Sequence, residues 1–373
     1  MSYNWQQSDW PTFRYDVAAL GESLQTFAEK SGYTNGMLVA LSATDREAIM
    51  LQTLIAEAMK TSEIEGEFLS RKDVYASIQR NLDIAGAPLH TTDRRAEGIS
   101  ALVVAARSTF EVPLSQDVLY SWHHSLFEGS RHLRVVGAWR KGVKPMRVES
   151  GAIGRETIHF EAPPATRVPM EMRRFIRWFN ETAPGGSKPI GPAAIRAAIV
   201  HLYFESIHPF EDGNGRIGRA LAEKALAQGL GAPPMMSLSN ALKEGHTRYY
   251  LDLQSAQRSN EITEWIHQFT EVLIRAQDHA ADWIGFVLKK AKFYDRYRHA
   301  LNQRQAKAIE RMLEEGPSGF QGGMNAAKYG SITGASKATA TRDLQELLQT
   351  GAVVRMGESG GRSTRYTLNL DET

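Results

Sequence analysis

The chain has 373 residues and a formal charge of +2, from 44 Lys and Arg against 42 Asp and Glu, and it contains no cysteine. This length fits about two to three domains, and the missing cysteine excludes a disulfide scaffold, a thiolate metal site and a cysteine nucleophile. The near-zero charge excludes a whole-chain field that attracts nucleic acid or a membrane, so any basic patch must be local. Because the N-terminus lacks a signal-peptide pattern and no apolar run reaches about 20 residues, we expect a cytoplasmic protein without membrane contact.

Helical spacing of apolar residues is the dominant pattern of the chain. A capping box at Thr44–Glu47 predicts a helix that ends at Gly66, and a second box at Ser70–Asp73 predicts the start of the next helix. The stretch 83–93, with a glycine, a proline and a threonine pair, is typical of a linker. Further helices are predicted over 94–110, 115–127, 168–181, 191–207, 214–228 and 260–295.

Two segments depart from this pattern. In 137–164, valines and isoleucines lie among glycines and prolines without helical period, which favours short strands or a β-hairpin. Near the C-terminus, helices are predicted over 301–315, 324–332 and 336–349, followed by two strands around a glycine-rich turn. Three helices and a two-stranded wing are the order of a winged helix-turn-helix.

The segment 207–219 reads IHPFEDGNGRIGR and contains the residues best suited to chemistry. His208 ends a strongly apolar helix and precedes a proline, which predicts a corner between helix and loop. An imidazole at such a corner can take a proton from an attacking hydroxyl at neutral pH. A single histidine is more often structural, so its role depends on the residues around it.

The residues after His208 predict a site for a phosphorylated ligand. A glycine-rich turn precedes a helix, and the free N–H groups and positive dipole end of a helix suit an anion. Arg216 and Arg219 lie three positions apart on that helix, and their forked donors match phosphate oxygens. Asp212 beside a phosphate is a natural Mg²⁺ ligand. Singly, these features are common in turns and on solvated helix faces, but their combination favours a base, a metal ligand and a polyphosphate site.

This segment resembles the signature of Fic-domain proteins, HPFx[D/E]GNGRxxR, at every specified position. Most Fic proteins similar to this chain are AMP transferases, which move the adenylyl group of ATP onto a Ser, Thr or Tyr hydroxyl of a target protein. The resemblance implies that His208 deprotonates the target hydroxyl and that Asp212 holds Mg²⁺. It also implies a mainly α fold, with a Fic-type helical core and a β-hairpin called the flap, here 137–164.

The same resemblance assigns the phosphate contacts. Asn214, with the backbone of Gly213 and Gly215, is expected to bind the phosphates next to the metal. Arg216 is expected to contact the β-phosphate and Arg219 the γ-phosphate. With both arginines present, the motif favours a triphosphate, although a few relatives transfer groups from other nucleotides or from CDP-choline.

A second motif, TSEIEG from Thr61 to Gly66, resembles the inhibitory pattern [S/T]xxxE[G/N] of autoinhibited Fic proteins. The resemblance implies that Glu65 pairs with Arg219 and so prevents productive binding of ATP. In some relatives the same glutamate helps water to remove AMP from the target. Read by itself, the segment is also consistent with a polar helix end capped by glycine.

Two further regions fit the resemblance less specifically. In the flap, which is expected to pair with the target segment, either Val148 or Ile158 is a candidate to hold the target side chain. Tyr250, Leu253 and Gln257 share one helical face where relatives line the adenine pocket. That spacing is equally consistent with core packing.

The resemblance suggests three domains: an N-terminal helical domain with the inhibitory helix over 1–95, a Fic catalytic domain over 96–275, and a linker helix with a winged helix over 276–373. Dimers are common among close relatives, so we expect a homodimer, and self-modification is a further expectation. The alternative function is a nucleotide-sensing regulator that binds DNA through its winged helix. Docking of DNA or of protein through 301–373 remains open at this point.

The charge of the C-terminal region does not decide between these partners. Between Asn325 and Tyr366, six basic residues face three acidic ones, a net charge of +3 that supports only a few phosphate contacts. The residues predicted to meet DNA lie on the last helix and the wing: Lys337, Thr339, Thr341, Arg342, Arg362 and Arg365.

Overall fold

The computed structural model describes residues 2–87, 91–150, 157–357 and 364–370. Most of them lie in helices, and the described strands form two antiparallel pairs. The prediction of a mainly helical fold with a small hairpin is confirmed. In chain order the elements are α1 Gly21–Val39, α2 Ala43–Ile64, α3 Arg71–Asn81, α4 Arg94–Ser108, α5 Gln116–Phe127, β1 Arg147–Ser150, β2 Thr157–Glu161, α6 Val168–Glu181, α7 Ala193–Ile207, α8 Asn214–Leu230, α9 Leu238–Glu244, α10 His246–Ala256, α11 Thr263–Tyr297, α12 Gln303–Leu313, α13 Ala326–Thr333, α14 Lys337–Gln349, β3 Val353–Arg355 and β4 Tyr366–Leu368.

The chain divides into two compact units. One comprises Met1–Tyr33 and Glu47–Asp278, and the other comprises Thr34–Arg46 and His279–Thr373. The three-domain division drawn from the sequence stays a prediction. Within the described residues, no helix has the length and apolar character needed to cross a membrane.

Helix α7 forms the centre of the first unit. Every residue from Ala194 to Ile207 is buried, which explains why its sequence is apolar on all sides rather than on one stripe. The buried Arg196 donates hydrogen bonds to the carbonyl oxygens of Phe179, at 2.7 Å, and Ala225, at 3.2 Å. These bonds link α7 to α6 and α8, so the helices that carry the 207–219 segment have a fixed position.

Helix α2, which leads to the Thr61–Gly66 segment, begins differently from the prediction. The hydroxyl of Ser42, not that of Thr44, accepts the backbone N–H of Asp45, at 3.1 Å. Thr44 lies inside α2, so the predicted capping box is wrong by two residues. The helix start predicted at Ser70 is confirmed, because its hydroxyl accepts the backbone N–H of Asp73 at the start of α3.

The hairpin predicted in 137–164 is present as the antiparallel pair β1 and β2. Arg147 lies opposite Glu161 and Val148 opposite Phe160, and the register shifts between Val148 and Glu149. Phe160 is buried in the core of the first unit, which fixes one face of the hairpin. Residues 151–156 lie outside the described residues.

The second unit has its own core around α12, α13 and α14. Ile309, Tyr329 and Leu344 are fully or almost fully buried there, and the strands β3 and β4 pair antiparallel behind them. Asn302, Asn325 and Ser336 cap the three helices with side-chain oxygens. The order of three helices and two strands agrees with the sequence, and the winged-helix assignment stays an interpretation. Arg362, predicted on the wing, lies outside the described residues.

Candidate active site

A cavity of about 520 Å³ lies where α7, α8, α10 and the hairpin meet. It brings together eight residues that the sequence singled out and several that it did not. Asp212 and Arg216 are not among its lining residues. The predicted residues that line it are Glu65, Val148, His208, Gly215, Arg219, Tyr250, Leu253 and Gln257. The unpredicted ones include Glu149, His159, Glu205, His246 and Gln254.

His208 lies at the helix-to-loop corner that the sequence predicts. It caps the C-terminus of α7 in the left-handed region, with φ 49° and ψ 61°, an arrangement that costs a non-glycine residue about 1–3 kcal/mol. The surrounding structure holds this corner, since Arg140 Nε donates to the carbonyl of His208 at 2.7 Å and the Arg140 N–H donates to Pro209 at 2.9 Å. The imidazole is thereby directed into the cavity.

The turn after His208 is held by Asn214. Its Oδ1 accepts the backbone N–H of Phe210 at 2.9 Å and its Nδ2 donates to the carbonyl of Phe210 at 3.0 Å. Gly213 adopts φ 79°, and a Cβ there would lie 2.6 Å from the ring of Phe127, so only glycine fits. In this structure the Asn214 amide therefore shapes the turn, and the phosphate contact expected for Asn214 remains a prediction.

Arg219 is buried and paired with residues of the Thr61–Gly66 segment. Its Nη2 lies 2.7 Å from Glu65 Oε1, its Nε donates to Thr61 Oγ1 at 2.7 Å, and Nη2 also donates to the Thr61 carbonyl at 3.0 Å. Burial alone lowers the pKa of the Arg219 guanidinium, but the charge of Glu65 outweighs it and raises that pKa above its usual value. Arg219 is therefore a cation whose donors face α2. Gly66 follows at φ 79° and ends the motif.

Arg216 faces a different set of carboxylates. Its Nη1 lies 2.8 Å from Glu67 Oε2, its Nη2 lies 3.4 Å from Asp212 Oδ1, and its guanidinium stacks 5.0 Å from the centroid of the Phe127 ring. Sequence reasoning did not identify Glu67, which follows the inhibitory pattern by one residue. The signal was a third acid in the run TSEIEGE.

Glu205 is the most important residue that sequence reasoning missed. Its Oε2 lies 3.6 Å from His208 Nδ1, and it is one turn before His208 on α7. Burial raises the pKa of its carboxyl, but the nearby His208 and His201 rings and the Arg219 guanidinium together lower it below the usual value. An acid inside an otherwise apolar helix that ends at a candidate base was a signal for it.

Tyr249 and Tyr250 form a wall of the cavity. The Tyr249 hydroxyl lies 2.7 Å from His201 Nε2, and burial raises the pKa of Tyr249 well above the ordinary value. Burial also raises the pKa of Tyr250 to about 12, so both phenols are neutral at physiological pH. Gln257 donates from Nε2 to the carbonyl of Glu205 at 3.3 Å. This wall is apolar with a few hydrogen-bonding atoms, as a pocket for a planar base requires.

The residues around Asp212 suit a metal ion only in part. Asp212 is 55% exposed, and its Oδ1 accepts the backbone N–H of Gly213 at 2.5 Å. In the part of the chain that the structure describes, no group of three or more His, Asp or Glu side chains is placed to hold a metal. A single carboxylate fits Mg²⁺, which is bound through one or two carboxylates together with substrate phosphates and water.

Two family models match the chain. Residues 3–84 match a domain of unknown function, DUF4172, and residues 113–226 match the Fic/DOC family. Among curated proteins, the protein adenylyltransferase Fic of Drosophila ananassae is 32% identical over 128 residues, which are 34% of this chain and 23% of that protein. A probable protein adenylyltransferase of Aquifex aeolicus is 38% identical over 69 residues, 18% of this chain and 20% of that protein. The chain thus spans less than a quarter of these relatives.

Solved structures agree on the fold. A Fic family protein from Desulfovibrio desulfuricans G20 aligns with a TM-score of 0.54 at 19% identity, covering 96% of this chain and 98% of that one. A Fic domain containing signaling protein from Bacteroides thetaiotaomicron aligns with a TM-score of 0.52 at 20% identity, covering 72% and 97%. The sequence matches and the fold together support a Fic-domain protein, related at modest identity to protein adenylyltransferases.

Proposed function

We propose that this chain is an autoinhibited protein adenylyltransferase, which moves AMP from ATP to a Ser, Thr or Tyr hydroxyl of a target protein. The observation that carries the proposal is the contact of Arg219 Nη2 with Glu65 Oε1, at 2.7 Å, in the cavity that also contains His208. The candidate base His208 and the buried guanidinium of Arg219, which suits phosphate, share one site. The carboxylate of Glu65 is paired with that guanidinium.

The reaction follows from the roles of these groups. His208 takes the proton of the target hydroxyl as its oxygen forms a bond to the α-phosphorus of ATP. The bond from that phosphorus to the bridging oxygen breaks, and pyrophosphate leaves with the electron pair. Arg216 and Arg219 orient the β- and γ-phosphates and neutralise their charge, so that catalysis is mainly positioning and electrostatics. Asp212 would hold Mg²⁺, which supplies further charge neutralisation when it is bound.

The remaining cavity residues account for the two substrates. Tyr250, Leu253 and Gln257 form the wall assigned to adenine. The hairpin is assigned to the target protein, and Val148 is favoured over Ile158 as the contact for its side chain, because Val148 lines the cavity and Ile158 is not among the lining residues. The proposal includes removal of AMP from the target, with Glu65 assisting water, as well as self-modification and a homodimer.

The test is intact-protein mass spectrometry of the Glu65→Gly variant with Mg-ATP and with candidate targets. We expect a mass gain of one AMP on the protein itself or on a target, and more transfer than by the unmodified chain. Adding His208→Ala is expected to abolish transfer. A Glu65→Gly variant that binds ATP and transfers nothing contradicts the enzymatic function.

A second candidate function is a nucleotide-sensing regulator that binds DNA through the C-terminal unit. It is favoured by the exposed positions of Lys337, Thr341 and Arg342 on α14, the helix assigned to recognition. Gel shifts with genomic fragments, with and without ATP, separate this function from the first. Binding that changes with ATP supports the regulator, whereas absent or salt-insensitive binding contradicts it.

A further inference from the structure

An ion pair outside the inhibitory pattern holds the first arginine of the motif. Glu67 Oε2 lies 2.8 Å from Arg216 Nη1, and the Arg216 side chain is only 4% exposed, against 28% for Glu67. This differs from an ordinary surface pair, which water screens and which contributes about 0–1 kcal/mol. A buried guanidinium is costly to leave unpaired, so Arg216 requires an anionic partner in every state of the site.

The backbone after α2 directs Glu65 and Glu67 toward two different arginines of α8. Gly66 adopts φ 79°, which reverses the chain, and the N–H of Glu67 donates to the carbonyl of Ser62 at 2.9 Å. Glu65, before the glycine, thereby meets one arginine of α8, and Glu67, after it, meets the other. Glu63 instead contacts two lysines, at 2.8 and 3.6 Å, and has no contact with α8 among the described ion pairs.

We propose that Glu67 is a second inhibitory carboxylate, which competes with the polyphosphate of ATP for Arg216. The proposal rests on the proposed function, in which Arg216 contacts the β-phosphate. Glu65 and Glu67 flank one left-handed glycine and pair with two arginines on one helix, so ATP must displace both carboxylates to bind productively. Gly66 then has a role of its own, because it directs Glu67 onto Arg216.

The test measures ATP affinity by isothermal titration calorimetry in a His208→Ala background, where transfer does not complicate binding. Glu65→Gln and Glu67→Gln are each expected to lower the Kd of Mg-ATP by about tenfold, and the double variant by more. Glu63→Gln, the matched control, is expected to keep the Kd of the background. If Glu67→Gln does not fold, Glu67→Asp, shorter by one methylene, is expected to tighten binding in the same direction.

The outcomes separate this proposal from the proposed function. An unchanged or weaker affinity in a folded Glu67 variant, with tighter binding in Glu65→Gln, overturns the role of Glu67 alone. Failure of every variant, including the double one, to bind ATP overturns both. Tighter binding in Glu63→Gln also overturns the role of Glu67, because the effect is then one of total charge.

A different observation concerns the candidate base. His208 Nδ1 and Glu205 Oε2 are 3.6 Å apart, and their side chains are 14% and 7% exposed. Within the described residues, neither His208 Nδ1 nor Glu205 Oε1 has a hydrogen-bond partner. A carboxylate beside a ring nitrogen determines which nitrogen carries the proton. We infer that Glu205 is a positioning residue that keeps the proton of the neutral imidazole on Nδ1 and so leaves Nε2 free to act as the base.

The tautomer of His208 can be read directly by long-range ¹H–¹⁵N correlation spectra of protein with ¹⁵N-labelled histidine, assigned with His208→Ala. We expect the Nδ1–H form in the unmodified chain and a loss of that preference in Glu205→Leu. In the Glu65→Gly background, Glu205→Leu is expected to lower kcat by at least about tenfold with KM for ATP little changed. Glu205→Asp, which restores the carboxylate, is expected to recover part of the Nδ1–H preference and part of kcat. An Nε2–H form in the unmodified chain, or an unchanged tautomer in a folded Glu205→Leu, overturns the inference.

Discussion

Thr61 shows how one hydroxyl supports the contact of Glu65 with Arg219, which we propose to be inhibitory. Its Oγ1 accepts the hydrogen bond from Arg219 Nε at 2.7 Å, and Arg219 is 1% exposed. Val has nearly the shape of Thr without the hydroxyl, so Thr61→Val leaves a buried charged donor without this acceptor. The cost of such a loss is about 1.5–3 kcal/mol. The hydroxyl therefore gives Thr61 a structural role in holding Arg219.

We predict that Thr61→Val lowers the melting temperature and raises basal AMP transfer, though less than Glu65→Gly does, because Glu65 still contacts Arg219. Thr61→Ser keeps the hydroxyl and is expected to retain both the stability and the low activity of the unmodified chain. Thermal melts measure the melting temperature, and labelling with α-labelled ATP measures basal AMP transfer. Equal melting temperatures for the Val and Ser variants contradict the prediction.

At the scale of single residues, the sequence identifies those functional side chains whose spacing along the chain forms a recognisable motif. His208, Arg219 and Glu65 lie in patterned segments, and the structure places all three in one cavity. Glu205 and Glu67 were missed because their importance depends on which side chain the fold places opposite them. Neither the left-handed conformation of His208 nor the turn after Gly66 can be read from spacing.

At the scale of helices, buried polar groups link α2 to α9 and α8 to α4. Glu57 on α2 accepts hydrogen bonds from the Ser237 hydroxyl at 2.7 Å and from the Ser239 N–H at 2.9 Å. Glu223 on α8 lies 3.5 Å from Arg107. Burial, with the nearby charge of Glu57, raises the pKa of Glu223 to about 7, although Arg107 opposes this.

This raised pKa predicts a pH-dependent stability. Unfolded Glu has a pKa of about 4.3, so between about pH 4.3 and 7 the folded chain binds more protons at Glu223 than the unfolded chain. The contribution of this group to stability is therefore present at low pH and is lost as pH rises through that window. Glu223→Gln is expected to melt at least about 2 °C higher than the unmodified chain at pH 8, with a smaller difference at pH 5. The exposed control Glu111→Gln is expected to show no such trend, and an equal trend in both contradicts the prediction.

Helices with a strong apolar period were predictable, and those without it were not. The helix α1 contains three glycines and many polar residues, and no periodic stripe identified it. The short helix α9 begins at Ser237, whose hydroxyl caps it, but seven residues are too few to show a period. Both depend on packing against distant parts of the chain, which local propensity does not contain.

For the whole molecule, the net charge of +2 conceals separate charged sites. Arg216 and Arg219 are paired with carboxylates, and Asp343 on α14 is buried against Arg304 and the Tyr329 hydroxyl. Asp343 therefore does not reduce the positive charge of the exposed face of α14. Of the cations expected at DNA, Arg365 donates to the carbonyl of Gly322 at 2.9 Å. Within the described residues, the expected cations that remain exposed are Lys337 and Arg342, and Arg355 on β3, which was not among the predicted DNA contacts, is also exposed.

Three exposed cations predict weak, strongly salt-dependent DNA binding by the full chain. Neutralising three phosphates gives a slope of about −3 in log K against log salt, with Kd about 10⁻⁴–10⁻⁶ M without sequence specificity. Fluorescence anisotropy with a labelled duplex between 50 and 200 mM salt measures the Kd and its salt slope. The variant with Lys337, Arg342 and Arg355 changed to Gln is expected to lose the slope.

A charge-matched control separates this local effect from total charge. Changing Arg131, Lys144 and Lys188 to Gln removes the same charge from exposed positions of the first unit. This control is expected to keep the slope of the unmodified chain, because counterion release depends on cations that touch phosphates rather than on net charge. An equal loss of slope in both triple variants assigns binding to total charge, and no binding at 50 mM salt contradicts the prediction of DNA binding.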